Sequence, residues 1–365
     1  MSEQLSAART LRVLSIDGGG MRGIYSAAYL SSLLKSFGKI RQGEIDLGAA
    51  FDLICGTSTG AIIACALAAK IQMDKVAALY REHGKEIFPK KVPGGFFDAV
   101  VQLKTRPGLN KAGDAALKKA LSAVLENKTI GDVWTKRQIG LAIPAVEMSR
   151  HRSWVFKTPH LENSKDRDGE YTLVDACMAT SAAPVFRSLA RVPGPHNEGS
   201  LVFTDGGLWA NTPLLVGLID ALEMTKAGDR IELFCLSTCP PPSGDEVAVG
   251  DEHWGLLEWK MGGKVPAVAI SAQQYAFFNM ARMIGKHTCR DVHIVPFPHG
   301  PVQPSLFQHV DLDETSDAAL AALLAQAETD ASQALSVCGD ANSDDGFAID
   351  QLFRSAPLSK DTPDV

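Results

Sequence analysis

What the 365-residue chain lacks narrows it first. No apolar run approaches the roughly 18 residues that a membrane-spanning helix needs. The longest clean stretch, residues 61–69, stops at Lys70. The opening residues have no basic stretch, apolar core and small-residue cleavage site of the signal-peptide kind, so a cytoplasmic protein is expected. The seven cysteines and nine histidines contain no C-x-x-C, H-E-x-x-H or H-x-H spacing, which leaves a structural metal without ligands. An odd number of scattered thiols reads as buried groups in a reducing compartment. A basic excess is missing too: the net charge is −6, which argues against a DNA or RNA partner. What is present is a composition 45% hydrophobic and 21% charged, enough to fill a sizeable core and to exclude a disordered chain.

Strand-like runs at residues 11–16, 51–55, 139–146, 153–156, 201–203, 231–236 and 292–295 alternate with helical patterns. The helical patterns cover 23–37, 59–70, 74–83, 112–125, 174–181, 213–224, 265–284 and 317–335. Continuous apolar strands alternating with helices predict an α/β fold, a mostly parallel central sheet with helices on both faces. No repeat or Ser- or Pro-rich linker divides the chain, so residues 1–338 read as one domain and 339–365 as a polar surface tail.

Two glycine turns follow the first two strands. The first strand enters Asp17-Gly18-Gly19-Gly20-Met21-Arg22-Gly23 and then a helix. Such a junction aims backbone amides and a helix N-terminus at an anion. Gly18, Gly20 and Gly23 fit G-x-G-x-x-G, but Glu44 and Asp46 stand where a second strand should end in an acid, and the residues before them are polar. Dinucleotide binding, a structural turn and an oxyanion loop therefore all stay open for this segment. The second strand enters Gly56-Thr57-Ser58-Thr59-Gly60, a G-x-S-x-G. A serine on a tight strand-to-helix turn needs small neighbours, which Gly56 and Gly60 supply, and the apolar helix that follows is expected to be buried. The alternative is a Gly-Ser turn that merely packs a helix on a sheet.

A serine hydroxyl attacks well only when something accepts its proton. Among the late histidines, His253, His287, His293 and His299, only His299 lies in a loop suited to the role. Asp205 fits better. It ends the strand 201–203 in Thr204-Asp205-Gly206-Gly207, at the carboxyl end where open α/β sheets place their sites. An Asx turn is its structural alternative.

These segments together closely resemble the patatin-like phospholipases, whose signatures D-G-G-G-x-R-G, G-x-S-x-G and D-G-[GA] occur here in the family's order at residues 17–23, 56–60 and 205–207. Residues 155–158, 179–184 and 208–213 look familial as well, and the likeness is specific over about 11–225. The resemblance implies a three-layer patatin-like fold and a Ser-Asp dyad, with Ser58 as nucleophile and Asp205 as proton acceptor. It places the oxyanion hole in Gly18, Gly19, Gly20, Arg22 and Gly23, centred on the amides of Gly19 and Gly20, and requires no cofactor. The reaction it implies is release of fatty acids from membrane phospholipids. The length and the opening resemble bacterial stand-alone members, some of which are anti-phage effectors switched on by a cyclic dinucleotide.

Lipid substrates need a surface contact. Residues 85–119, from Lys85 to Lys119, hold eight Lys or Arg against three acids, together with Phe88, Phe96 and Phe97. This suits peripheral contact with an anionic inner membrane; an ordinary solvated insertion is the alternative. Arg282, Lys286, His287 and Arg290 offer cations to a nucleotide diphosphodiester, or else simply a solvated helix face. Oligomerisation stays open. A constitutive housekeeping or virulence esterase and a non-enzymatic nucleotide-binding module are the competing functions.

Overall fold

The computed structural model describes residues 8–91, 96–162, 164–195, 199–239, 244, 246–255, 258–259, 264–298 and 303–365, with no side-chain description for 96–104 and Pro266. In chain order the main elements are β1 (Thr10–Ile16), α1 (Gly23–Arg41), β2 (Leu53–Gly56), α2 (Thr59–Ala68), α3 (Met73–Ile87), α4 (Phe96–Leu125) and α5 (Ile130–Arg137). Then come β3 (Gly140–Glu147), β4 (Arg152–Lys157), α6 (Leu173–Thr180), β5 (Ala190–Pro193), β6 (Ser200–Asp205), α7 (Gly207–Ala210) and α8 (Leu214–Met224). The last are β7 (Arg230–Leu236), α9 (Lys264–His287), β8 (Asp291–Pro296), α10 (Asp317–Cys338) and α11 (Asp344–Ser355).

All eight strands join one sheet in the order β5-β6-β3-β2-β1-β7-β8, with β4 on the other edge of β3. The strands β3-β2-β1-β7-β8 are parallel, as expected of apolar strands linked by helices. The sheet is mixed, because β4, β5 and β6 pair antiparallel. Alternate residues of each strand serve two cores. Leu11, Val13, Leu53, Ile231 and Leu233 pack under α8 and α9, while Leu14, Ile16, Ile54 and Phe234 pack on the other face with α1, α2, α3, α6, α10 and α11. That is the helix–sheet–helix layering the strand pattern predicts.

The topology decides where the chemistry goes. β4 occupies one edge of β3 along Ala142–Glu147, so β2 and β6 must share the other edge. β2 runs up that edge and last pairs at Ala142, while β6 runs down it and ends with Asp205 opposite Ala145. Two strands thus meet end to end, and the turn leaving β2 faces the last residue of β6.

The segment after Gly339 differs from the expected polar tail. Residues 344–355 form α11, capped by the Ser343 hydroxyl on the Gly346 amide at 3.0 Å. Its Ala348, Ile349, Leu352 and Phe353 are buried, and Phe353 stacks on Phe37 with centroids 4.6 Å apart. The acids of the segment lie on the outer face of an amphipathic helix whose inner face closes the core over α1. No helix among the described residues is long and apolar enough to cross a membrane.

Candidate active site

Ser58 sits on the turn between β2 and α2 at φ 53° and ψ −121°, a backbone conformation that costs a non-glycine residue energy and survives only when its surroundings enforce it. The enforcement is main-chain sterics. A Cβ on Gly56 would lie 2.3 Å from the Gly60 carbonyl oxygen, and one on Gly60 would lie 2.3 Å from that of Ile16. Below the turn every residue of α2 is buried, so the helix cannot shift to relieve it. The Ser58 amide donates to Thr180 Oγ1 at 3.0 Å, and that hydroxyl donates to the Pro144 carbonyl at 2.5 Å, tying the turn to β3 and α6.

The Ser58 hydroxyl donates to Asp205 Oδ2 at 2.9 Å across 147 residues of sequence. The other carboxylate oxygen, Oδ1, accepts the Gly207 amide at 2.6 Å. Gly206 allows this turn because a Cβ there would meet the Pro144 carbonyl at 2.2 Å. Burial pushes the Asp205 carboxyl up to about 6, against the Gly207 amide, the Ser58 hydroxyl and the positive charge of Arg187, which pull it down. It is therefore ionised at neutral pH and a better base than a free aspartate. Among the described residues no histidine bonds to Ser58 or Asp205. His293 is held between Arg230 and Asp345, His160 pairs with Asp220, and His299 lies outside the described residues.

The glycine loop arches over the same place, and a Cβ on Gly18 would be 3.5 Å from Ser58 Cβ. Three of the five residues expected to form the oxyanion hole have their amides engaged elsewhere. Gly18 donates to the Asn211 carbonyl at 2.9 Å, Arg22 to Gly19 at 3.1 Å, and Gly23 back into the turn. The amides of Gly19 and Gly20 make no such bond among the described residues. Arg22 is buried and donates through Nη1 to the Val310 carbonyl at 3.3 Å, which braces the loop. Asp17 bonds the Thr212 hydroxyl and accepts from Gln274 at 3.3 Å; burial raises its carboxyl to about 7.

A serine hydroxyl bonded to a buried carboxylate, with a glycine loop beside it, is an arrangement that can transfer an acyl group. A family model for patatin-like phospholipases matches residues 14–218. The chain belongs to the patatin-like phospholipases. It is 38% identical over 281 residues to a cGAMP-activated phospholipase of Pseudomonas aeruginosa, with 75% of each chain covered. A cGAMP-activated phospholipase of Escherichia coli shares 28% identity over 330 residues, with 87% of each covered. A cUMP-AMP-activated phospholipase of Escherichia coli shares 30% over 222 residues, 59% of this chain and 60% of that one.

Other sequence candidates fall elsewhere on this patatin-like chain. Arg282, Lys286 and His287 are exposed on α9, but Arg290 lies past its end and donates through Nη2 to the Leu222 and Thr225 carbonyls at 3.0 and 2.7 Å. It caps α8 and does not join the other three. In the basic segment the Phe96 and Phe97 side chains lie outside the described residues, whereas Lys85 pairs with Asp317 at 2.8 Å and Lys91 with Glu314. Lys111, Lys118 and Lys119 are exposed. A cavity of about 380 Å³ opens between Leu34, Lys39, Leu67, Lys70 and Ser359, at the far end of the ten-residue α2 from Ser58, and is not where an ester would meet the serine. The sequence reading missed Thr180, Asn211 and Thr212 as supports of the site, although all three lie in segments it marked as familial.

Proposed function

We propose that the chain hydrolyses the carboxylic esters of membrane phospholipids with Ser58 as nucleophile and Asp205 as general base. The observation that carries this reading is the 2.9 Å bond between Ser58 Oγ and Asp205 Oδ2 on a positive-φ turn. As Ser58 attacks the ester carbonyl, Asp205 takes the hydroxyl proton, and the Gly19 and Gly20 amides receive the developing oxyanion. Each good donor of this kind contributes on the order of 10²–10³ in rate. Asp205 then gives the proton to the departing lysophospholipid oxygen. Water attacks the acyl-serine, Asp205 again accepting its proton, and a free fatty acid leaves while Ser58 is reprotonated. The N-terminus of the buried α2 adds a favourable dipole at the reacting end.

A cyclic dinucleotide switches this activity on. Support comes from the relatives named for activation by cGAMP and by cUMP-AMP, which differ in the nucleotide they answer to. The enzyme works from the cytoplasm by peripheral contact with the inner membrane through residues 85–119, whose sequence carries the local basic excess.

The test is fatty-acid release from phosphatidylglycerol and phosphatidylethanolamine vesicles, with and without a panel of cyclic dinucleotides. Wild type should respond to one of them. Ser58→Ala and Asp205→Asn should each lose at least roughly 10³-fold while keeping their melting temperature. Full activity in Asp205→Asn, or constitutive activity indifferent to every nucleotide, would remove the corresponding half of the proposal.

A further inference from the structure

Four arginines each have at least one buried nitrogen without a hydrogen bond among the described residues, and one differs from the rest. Arg137 gives its terminal nitrogens to the Leu67 and Ala68 carbonyls and to Asp46. Arg290 gives Nη2 to two carbonyls, and Arg22 gives Nη1 to one. In these three the terminal groups hold main chain together. Arg187 has a side chain only 4% exposed, yet both Nη1 and Nη2 lack a hydrogen bond. Its nearest acid, Asp114, is 3.5 Å from Nη1, an ion-pair distance without hydrogen-bond geometry, and the Phe88 ring lies 5.6 Å from Cζ.

A guanidinium removed from water with its planar donor fork idle is costly, and buried groups of this sort call for a functional reason. Its place supplies one. The turn carrying Arg187 is fastened to the end of β6: the Ala182 carbonyl accepts from the Asp205 amide at 3.1 Å and from the Thr204 hydroxyl at 2.7 Å, and the Arg187 amide returns to Ala183 at 2.9 Å. Arg187 lies in the electrostatic reach of Asp205 and of Tyr80, whose hydroxyl meets that of Thr59 beside the nucleophile. A guanidinium whose two terminal nitrogens make no hydrogen bond thus lies between Phe88 and Asp114, on the turn that is bonded to the Asp205 amide.

We infer that Arg187 receives the phosphate of the lipid headgroup and makes the enzyme prefer a phosphodiester-bearing substrate over a neutral glyceride. The fork matches a phosphate's paired oxygens, and a buried charge-assisted bond of this kind discriminates strongly against a substrate lacking the anion. This rests on the proposed ester hydrolysis and adds its headgroup determinant.

The experiment compares phosphatidylglycerol with the diacylglycerol of identical acyl chains, in mixed micelles at pH 8 and with cGAMP and cUMP-AMP added in turn, for wild type, Arg187→Gln and Arg187→Lys. The ratio of kcat/KM for the two lipids should fall about tenfold or more in Arg187→Gln, with Arg187→Lys in between. Fluorophosphonate labelling of Ser58 reports that each variant keeps its site; should Arg187→Gln fail to label, the ratio in Arg187→Lys decides alone. An unchanged ratio in a labelled variant, with both rates moving together, overturns the inference and leaves the esterase standing. A wild type that labels with no probe and cleaves neither lipid overturns the esterase itself.

Discussion

The two glycine turns stand side by side, after β1 and β2, but they are held by different means. In the turn after β2, any side chain at Gly56 or Gly60 runs into main-chain carbonyls of Gly60, Ile16 and Asp17. In the loop after β1, a Cβ on Gly18 meets Asn211 Oδ1 at 2.4 Å and one on Gly19 meets Thr238 Oγ1 at 2.3 Å, both side-chain atoms from distant segments. Thr238 also donates to the Gly18 carbonyl at 2.9 Å, and Asp17 holds Thr212. The two glycines of the serine turn are thus packed against main chain, while the loop after β1 is packed against polar side chains at Gly18 and Gly19 and against the Leu312 carbonyl at Gly20.

That contrast breaks most sharply at Gly60. Gly60→Ala should cost about 100-fold in kcat/KM, since a misplaced reacting atom loses that much, and no truncation of a neighbouring side chain should rescue it. Next in size is pH. With Asp205 at about 6, activity on a water-soluble ester should be level at pH 7.5–8.5 and fall roughly tenfold by pH 5; a profile flat to pH 5 would show that the base is another group. Gly18→Ala should cost less, about 5–10-fold, because the obstacle is a rotatable amide. Adding Asn211→Ala should restore part of that loss, and a double variant no better than the single would erase the distinction between the turns.

The smallest effect is on stability. Asp17 has its carboxyl raised to about 7, so between about pH 4 and 7 the folded protein keeps a proton that the unfolded chain releases. This makes Asp17 oppose folding increasingly as pH rises through that window. The melting temperature of Asp17→Asn relative to wild type should therefore shift upward between pH 5 and pH 8, by about 2–4 °C in a chain this size. A shift in the opposite direction would contradict the assigned burial.

Both turns were legible in the sequence because they are local: the steric demand for glycine is written within five or seven consecutive residues. The seven strands read from aliphatic runs are present as well. What escaped was set by partners far along the chain. The four-residue edge strand β5 ends in a proline and shows too short an alternation to read. In α4 the expected start at residue 112 was late, because Pro107 and Gly108 break the sequence pattern of a helix that runs on from Phe96 to Leu125. In α11 the run of Asp344, Asp345 and Asp350 drew attention from Ala348, Ile349, Leu352 and Phe353, whose spacing marks one helical face. Arg187 gave no motif at all, since its meaning depends on where β6 ends. The idle fork of a buried arginine is visible only in three dimensions.

The end-to-end meeting of β2 and β6 has a consequence for synthesis. At about 5–20 residues per second, Ser58 precedes Asp205 out of the ribosome by roughly 7–30 s. Throughout that interval the nascent chain carries the proposed nucleophile without its proposed base, because neither the strand that bears Asp205 nor its pairing to β3 yet exists. A chain broken off before residue 205 is chemically inert by the same logic. Splitting the reacting pair between two strands that only a third can align makes completion of the sheet a precondition for attacking lipid.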